Sequence, residues 1–144
     1  MGNLFDKEKA SCLLEHLKKE YDIYAPKRFP GDGCYSDTDI IRYGIIESFD
    51  EIVWEQKSDY SFKEVLLPIS DTIMYFTQSS TKLPEPRKKR LVFLRSCEIH
   101  ALKRLDEIYL KNGFSDYYYQ SIRESTKFVL MGCGFSFKSC FCVS

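Results

Sequence analysis

The sequence has no excess charge of either sign, since 21 Lys and Arg residues balance 21 Asp and Glu residues. A balanced chain has no general attraction for nucleic acids or anionic membranes, so we expect neither as a partner. No apolar run approaches the ~20 residues needed to cross a bilayer. With 144 residues, 44% of them hydrophobic, the composition instead predicts a single globular domain over residues 1–144.

Two further signals are missing. Residues 1–6 lack the basic and apolar regions of a signal peptide, so we expect a cytoplasmic location. The chain has no Gly-rich dinucleotide fingerprint, so it is not expected to bind NAD by itself. Because no export signal is present, we expect the six cysteines to be in a reducing compartment. Buried thiols, metal ligands and redox thiols are more common there than disulfides.

The last third of the chain predicts a strand-helix-strand unit over residues 91–132. The apolar runs at 91–94 and 128–131 have the length and composition of buried strands. Between them, apolar residues recur at three- and four-residue spacing over 97–110, which is typical of an amphipathic helix. We therefore predict an α/β fold with a mostly parallel central sheet flanked by helices, in which these two strands are parallel neighbours.

The preceding residues predict simpler elements. A helix is expected over 6–21, with Cys12 as a buried thiol inside it. The turn signal at 30–33 predicts a hairpin between two strands. Residues 78–90 are expected to form a loop whose basic run at 87–90 is a solvated linker and not a nucleic-acid patch.

Two smaller predictions concern the polar and aromatic residues around the last helices. Asp106 is expected to be solvated on the outer face of the helix over 97–110. The three consecutive tyrosines at 117–119 are expected to begin a short helix with two of the rings packed inward. Both predictions follow from local pattern alone and do not use long-range contacts.

Four of the cysteines have a spacing that chemistry would explain: Cys97, Cys133, Cys140 and Cys142. Cys97 follows the first strand and Cys133 the second, so parallel strands would bring both to the carboxyl edge of the sheet, where ligands bind in open α/β folds. The loop over 134–139 is long enough to return Cys140 to that edge. Four thiolates can hold a zinc ion or a four-iron cluster, and buried or incidental thiols remain the alternative. Three nearby aromatic side chains are expected to shield such a site from water: Phe135, Phe137 and Phe141.

The start of the helix permits other interpretations of Cys97. The helix dipole would favour its thiolate, and Arg95 would add to that effect. His100 lies one turn further along, so the spacing permits a Cys–His nucleophilic pair, although a surface histidine is the plainer interpretation. The main alternative function is an interaction module in which the four cysteines hold structural zinc and the surface binds partners.

Residues 93–106 resemble a family signature. The stretch F-L-R-S-C-E-I-H-A-L-K-R-L-D is similar to the "G-V-R-P-C-D-x-x-A-L-x-x-L-D" of the iron–sulfur electron-transfer subunits of anaerobic sulfite reductases and the related iron–sulfur β subunits of sulfhydrogenases. Ser96 replaces the usual proline and Glu98 the usual aspartate. D-Y-Y-Y at 116–119 and R-E at 123–124 resemble its "D-x-Y-Y" and "R-E". Further pieces, G-C at 132–133 and C-F-C-V-S at 140–144, resemble its "N-C…C-F-C-x-S". The likeness extends over residues 58–144 and is strongest from 93 onward.

The resemblance implies that Cys97, Cys133, Cys140 and Cys142 bind an iron–sulfur cluster of the 4Fe-4S type. It implies electron transfer in a cytoplasmic complex that reduces sulfite to sulfide with NADH-derived electrons. The flavin/NAD site and the sulfite site would then lie on sister subunits, and these residues would not themselves catalyse a reaction. Members of the family continue into a ferredoxin-like region with Cys-x2-Cys-x2-Cys-x3-Cys motifs, which is absent here. We therefore expect residues 1–144 to be the N-terminal part of a longer subunit.

Overall fold

The computed structural model describes residues 6–35, 37–82, 88–137 and 140. A short 3-10 helix at Phe49–Glu51 lies between the strand Ile40–Ile45 and the helix Lys63–Leu66. Within the described ranges, no helix is both long enough and apolar enough to cross a membrane. The helices and strands in chain order are α1 Lys7–Leu17, β1 Tyr21–Phe29, β2 Ile40–Ile45, α2 Lys63–Leu66, β3 Tyr75–Phe76, β4 Thr81–Lys82, β5 Lys89–Arg95, α3 Ser96–Leu110, α4 Tyr117–Glu124 and β6 Thr126–Met131.

The central sheet has four strands in the order β2-β1-β5-β6. Strand β5 lies between β1 and β6 and is parallel to both, and β2 runs antiparallel to β1 at one edge. The predicted α/β class with a mostly parallel sheet is therefore confirmed. The predicted hairpin is present too, and Gly31 in its loop has a φ of 75°, a conformation that glycine adopts without steric cost.

Strands β5 and β6 finish in register, which decides where the following residues lie. Their pairing runs from Arg90 opposite Thr126 to Arg95 opposite Met131. Because β5 and β6 are parallel, both strands end at the same carboxyl edge of the sheet. Residues 96–97 and 132–133 are therefore delivered to one side of the molecule, as the predicted strand-helix-strand unit requires.

Strand β5 is buried on both faces of the sheet, since side chains alternate along a strand. Val92 and Leu94 pack on one face in the core cluster that includes residues of α2, α3 and α4. Leu91 and Phe93 pack on the opposite face, in the cluster to which Leu14 of α1 belongs. The sheet therefore separates two apolar layers, and its central strand contributes to each.

The structure corrects four local predictions, the first of which is the solvated loop over 78–90, since Arg90 of its basic run is buried in β5. Cys12 is exposed, because it lies two positions from buried Leu14 and so on nearly the opposite side of α1. Only one of the three tyrosines is packed inward: Tyr119 is buried, while Tyr117 and Tyr118 are exposed. Asp106 is not simply solvated, because α4 packs beside it and supplies two hydrogen-bond donors.

Asp106 joins α3 to α4. Its Oδ1 accepts a hydrogen bond from the Tyr119 hydroxyl at 2.7 Å and one from Arg123 Nε at 3.0 Å. Burial is the largest cause that raises the pKa of the Tyr119 hydroxyl, followed by the hydrogen bond to Asp106. The Asp106 carboxylate therefore compensates two polar groups that folding has partly removed from water.

We expect Asp106→Ala to lower the free energy of unfolding by about 2 kcal/mol, because it leaves Tyr119 and Arg123 without their shared acceptor. Urea unfolding followed by circular dichroism measures the change. Glu107→Ala is the matched control, since Glu107 is an exposed carboxylate on the same helix that forms an ion pair with Lys111. Equal effects of the two substitutions would contradict the structural role given to Asp106.

Candidate metal centre

A pocket of about 400 Å³ opens where β5 and β6 end. Three cysteines line it: Cys97, Cys133 and Cys140. Two of them come directly from the sheet topology, since one follows β5 and the other follows β6. The third lies after the loop that leaves Cys133. The pocket therefore collects thiols from separated parts of the sequence at the carboxyl edge of the sheet.

The three thiols differ in their environment. Cys97 lies in the first turn of α3 and is half-buried, and Cys133 is exposed two residues beyond β6. Cys140 is also half-buried, and its Sγ accepts the backbone N–H of Phe137 at 3.3 Å. The Cys140 N–H in turn donates to the Phe137 carbonyl at 3.0 Å. These two hydrogen bonds join Cys140 to Phe137 beside the pocket.

The fourth cysteine predicted for this set, Cys142, lies outside the described residues, as does Phe141. Cys12 and Cys34 are exposed and neither of them lines the pocket. Of the aromatic residues expected to shield the site, Phe135 lines the pocket but is itself half exposed. Phe137 lies beside it, with ring centroids 5.0 Å apart and ring planes tilted by 56°. The pocket is therefore open to solvent on the Phe135 side.

In the part of the chain that the structure describes, no group of three or more His, Cys, Asp or Glu side chains is arranged to hold a single metal ion. Zinc requires its sulfur ligands about 2.3 Å from one point.

Arg95 is the only charged side chain that lines the pocket among the described residues. It is the last residue of β5 and just 3% exposed. Its Nη1 donates to Cys133 Sγ at 3.4 Å, and its Nη2 donates to the Trp54 and Gln56 carbonyls at 2.8 and 3.0 Å. Its guanidinium carbon lies 4.6 Å from the centre of the Phe137 ring. A buried cation therefore lies against the Cys133 thiol.

The expectation that Cys97 is a favoured thiolate is wrong for the metal-free protein. Burial raises the pKa of the Cys97 thiol, and the neighbouring Glu98 carboxylate raises it further. Arg95, which was expected to act on Cys97, instead points its guanidinium at Cys133. His100 is exposed, and no hydrogen bond between described residues joins it to Cys97, so this geometry gives the Cys–His pair no support.

A second pocket of about 280 Å³ adjoins the first, with Arg95 in the wall of both. Glu98 lines it, and Glu98 Oε2 accepts the Arg95 backbone N–H and the Tyr43 hydroxyl, both at 2.9 Å. Burial raises the pKa of the Glu98 carboxyl, against the lowering effect of these bonds and of the Arg95 charge. Burial and the Glu98 charge also raise the pKa of Tyr43.

The sequence patterns did not predict that Tyr43, Arg95 and Glu98 line one pocket. A glutamate at the third position of a helix commonly accepts the N–H of the residue that precedes the helix, so the Glu98 contact had a local signal. Tyr43 is 55 positions away from Glu98, and its pattern indicated only a strand residue. The carbonyls that hold Arg95 belong to the backbone, so no side-chain pattern could mark them.

The raised pKa of Glu98 has a consequence for stability. A carboxyl with a raised pKa in the folded state stabilises folding below its unfolded pKa, and this contribution is lost as pH rises through the folded pKa. We expect metal-free wild type to lose stability relative to Glu98→Gln as pH rises above about 4.5, because the amide oxygen still accepts both hydrogen bonds. Urea unfolding at a series of pH values measures this.

Glu107→Gln is the control for that pH series, since it neutralises an exposed carboxylate on the same helix. It should change the pH dependence far less than Glu98→Gln does. If wild type instead gained stability relative to Glu98→Gln as pH rose, burial would not be the dominant influence on the carboxyl.

The fold and the pocket together define an α/β protein with a thiol-lined site at the carboxyl edge of its parallel strands. Comparison of the chain with known protein families, with curated proteins and with solved structures gives no match.

Proposed function

We propose that this chain is an iron–sulfur electron-transfer subunit or domain, related to the electron-transfer subunits of anaerobic sulfite reductases. The observation that carries the proposal is the pocket itself, in which Cys97, Cys133 and Cys140 come together from the ends of two parallel strands and a following loop. The same three cysteines occupy the matching positions of the family signature, together with Cys142.

The residues present fit such a cluster. Cysteine thiolates are the usual ligands of iron–sulfur clusters, and Cys97, Cys133, Cys140 and Cys142 would hold it. Thiolate ligands are anionic, and the buried guanidinium of Arg95 supplies a compensating positive charge next to Cys133. A bound cluster would supply reversible one-electron transfer.

The chain's own residues then act by holding and insulating the group. Cys97 and Cys133 each lie two residues beyond the end of a paired strand, β5 or β6, so the sheet would limit the movement of these ligands when an electron arrives or leaves. The ring of Phe137 lies over the Arg95 guanidinium and would reduce access of water to that side of the site. The half-exposed Phe135 side is where an electron could enter or leave.

The proposed setting is a cytoplasmic complex that reduces sulfite to sulfide with electrons from NADH. Sister subunits would hold the flavin/NAD site and the sulfite site, and this chain would pass electrons between them without catalysing either reaction. The absence of a Gly-rich dinucleotide fingerprint agrees with placing NADH oxidation on another subunit.

Metal identity in protein purified without oxygen tests this proposal. We expect a brown protein that contains iron and acid-labile sulfide, because thiolates hold both in a cluster. A colourless protein with stoichiometric zinc and no iron would overturn the proposal and favour the zinc-stabilised interaction module. Protein expressed in medium supplied with both metals makes the comparison fair.

A further inference from the structure

The contacts of Arg95 suggest a role beyond neutralising the site. Its guanidinium is fixed from three directions, by the Trp54 and Gln56 carbonyls, by the Phe137 ring and by Cys133 Sγ. These contacts hold the guanidinium with Nη1 pointing at the Cys133 sulfur.

The positive charge of Arg95 is only partly offset by its surroundings. Two of its hydrogen bonds go to neutral backbone carbonyls. The charge of Arg95 lowers the pKa of Glu98, but no ion pair between described residues joins the two side chains. With the residue 3% exposed, water screens the charge poorly, so its effect on a neighbouring group is larger than that of a surface cation.

We propose that Arg95 is a positioning residue that raises the reduction potential of the cluster through its hydrogen bond to Cys133. This inference depends on the proposed function. One-electron reduction adds negative charge to the cluster and its thiolates. A donor and cation held against one of those sulfurs stabilises the reduced form more than the oxidised form. Hydrogen bonds to the sulfurs, net charge and solvent exposure are the properties that set such potentials.

The test compares reduction potentials of reconstituted protein, measured by anaerobic redox titration with mediator dyes. In Arg95→Gln we expect the oxidised form to become favoured by about tenfold at a given solution potential, which corresponds to a potential about 59 mV lower for one electron. Arg95→Lys should shift the potential in the same direction, because a lysine cannot reach the carbonyls and the sulfur with one planar group.

Arg104→Gln is the matched control, since it removes the same charge from an exposed position on α3. Its potential should equal that of wild type, because solvent screens a surface charge. Circular dichroism and cluster absorbance show which variants remain folded and loaded. They also separate a change in potential from loss of the site.

The outcomes distinguish this inference from the proposed function. An unchanged potential in loaded Arg95→Gln, or an equal shift in Arg104→Gln, would overturn the role of Arg95 and leave the cluster in place. Loss of the cluster from folded Arg95→Gln and Arg95→Lys alike would assign Arg95 to holding the site together and would also overturn a role in setting the potential. Failure of wild type to bind iron would remove the proposed function itself, and this inference with it.

Discussion

Cys133→Ser is expected to lower the amount of iron–sulfur cluster bound after anaerobic reconstitution by more than about tenfold. Mutation of a residue that only supports a metal ligand already lowers metal affinity by about 10–100-fold, and loss of a ligand itself should lower it at least as much. Cys133 is exposed, lines the pocket and contacts Arg95. Serine keeps the shape but replaces a thiolate with a hydroxyl, which is a poor iron ligand. Iron and sulfide analysis, with visible absorbance, measures the loss.

The remaining cysteines provide both replicates and controls for this result. Cys97→Ser should cause a loss of similar size, because Cys97 lines the same pocket from the start of α3. Cys12→Ser and Cys34→Ser should leave the cluster content unchanged, since both residues are exposed and neither lines the pocket. Loss in a control together with retention in Cys133→Ser would mean that a different set of cysteines binds the cluster.

The largest expected effect on stability belongs to Phe62→Ala. Phe62 precedes α2, is completely buried and packs edge-on against Tyr43, with ring centroids 6.4 Å apart. Removing a buried phenyl ring leaves a cavity and costs about 3–5 kcal/mol. That is a large part of the 5–15 kcal/mol by which domains are typically stable. We expect a fall of about 10 °C in the unfolding midpoint, which calorimetry measures.

Phe114→Ala is the matched control for Phe62→Ala, because it removes the same ring from a residue that is 95% exposed. Its unfolding midpoint should stay close to that of wild type. A comparable loss in both variants would mean that the core described around Phe62 does not hold the domain together. Because Tyr43 also donates to Glu98, the Phe62 variant should loosen the second pocket as well.

The strand-helix-strand unit could be predicted from sequence because its signals are local and strong. Two short apolar runs and a helical repeat between them admit few arrangements, and parallel pairing follows from the helix that connects them. The hairpin likewise has its turn signal at 30–33. The order of the strands, with β1 beside β5, was not predictable in this way, since it depends on packing between residues far apart in sequence.

The prediction for Asp106 failed for a related reason. A helical pattern shows which face is apolar, but it does not show whether another element packs against the rim of that face. Here α4 does so, and Tyr119 and Arg123 bind the carboxylate. Cys12 was predicted to be buried because cysteine is often apolar in character. That prediction ignored its position around the helix, which is nearly opposite buried Leu14.

The thiol pocket lies between these two cases. That Cys97 and Cys133 share an edge follows from strand ends that the sequence reveals. The contacts of Arg95 with Cys133, Trp54 and Gln56 span 38 to 41 positions and leave no periodic trace. Sequence could therefore indicate which residues gather at the site, whereas the charge held against them required the three-dimensional structure.

The central claim is that the pocket cysteines bind an iron–sulfur cluster. Electron paramagnetic resonance of the reduced, anaerobically reconstituted protein tests it most directly, because a reduced cluster has an unpaired electron and Zn²⁺ has none. We expect a signal from wild type and from Cys12→Ser, and none from Cys97→Ser or Cys133→Ser. Wild-type protein that gives no signal and contains zinc, or a signal that persists unchanged in both pocket variants, would contradict the assignment of this site to an iron–sulfur cluster.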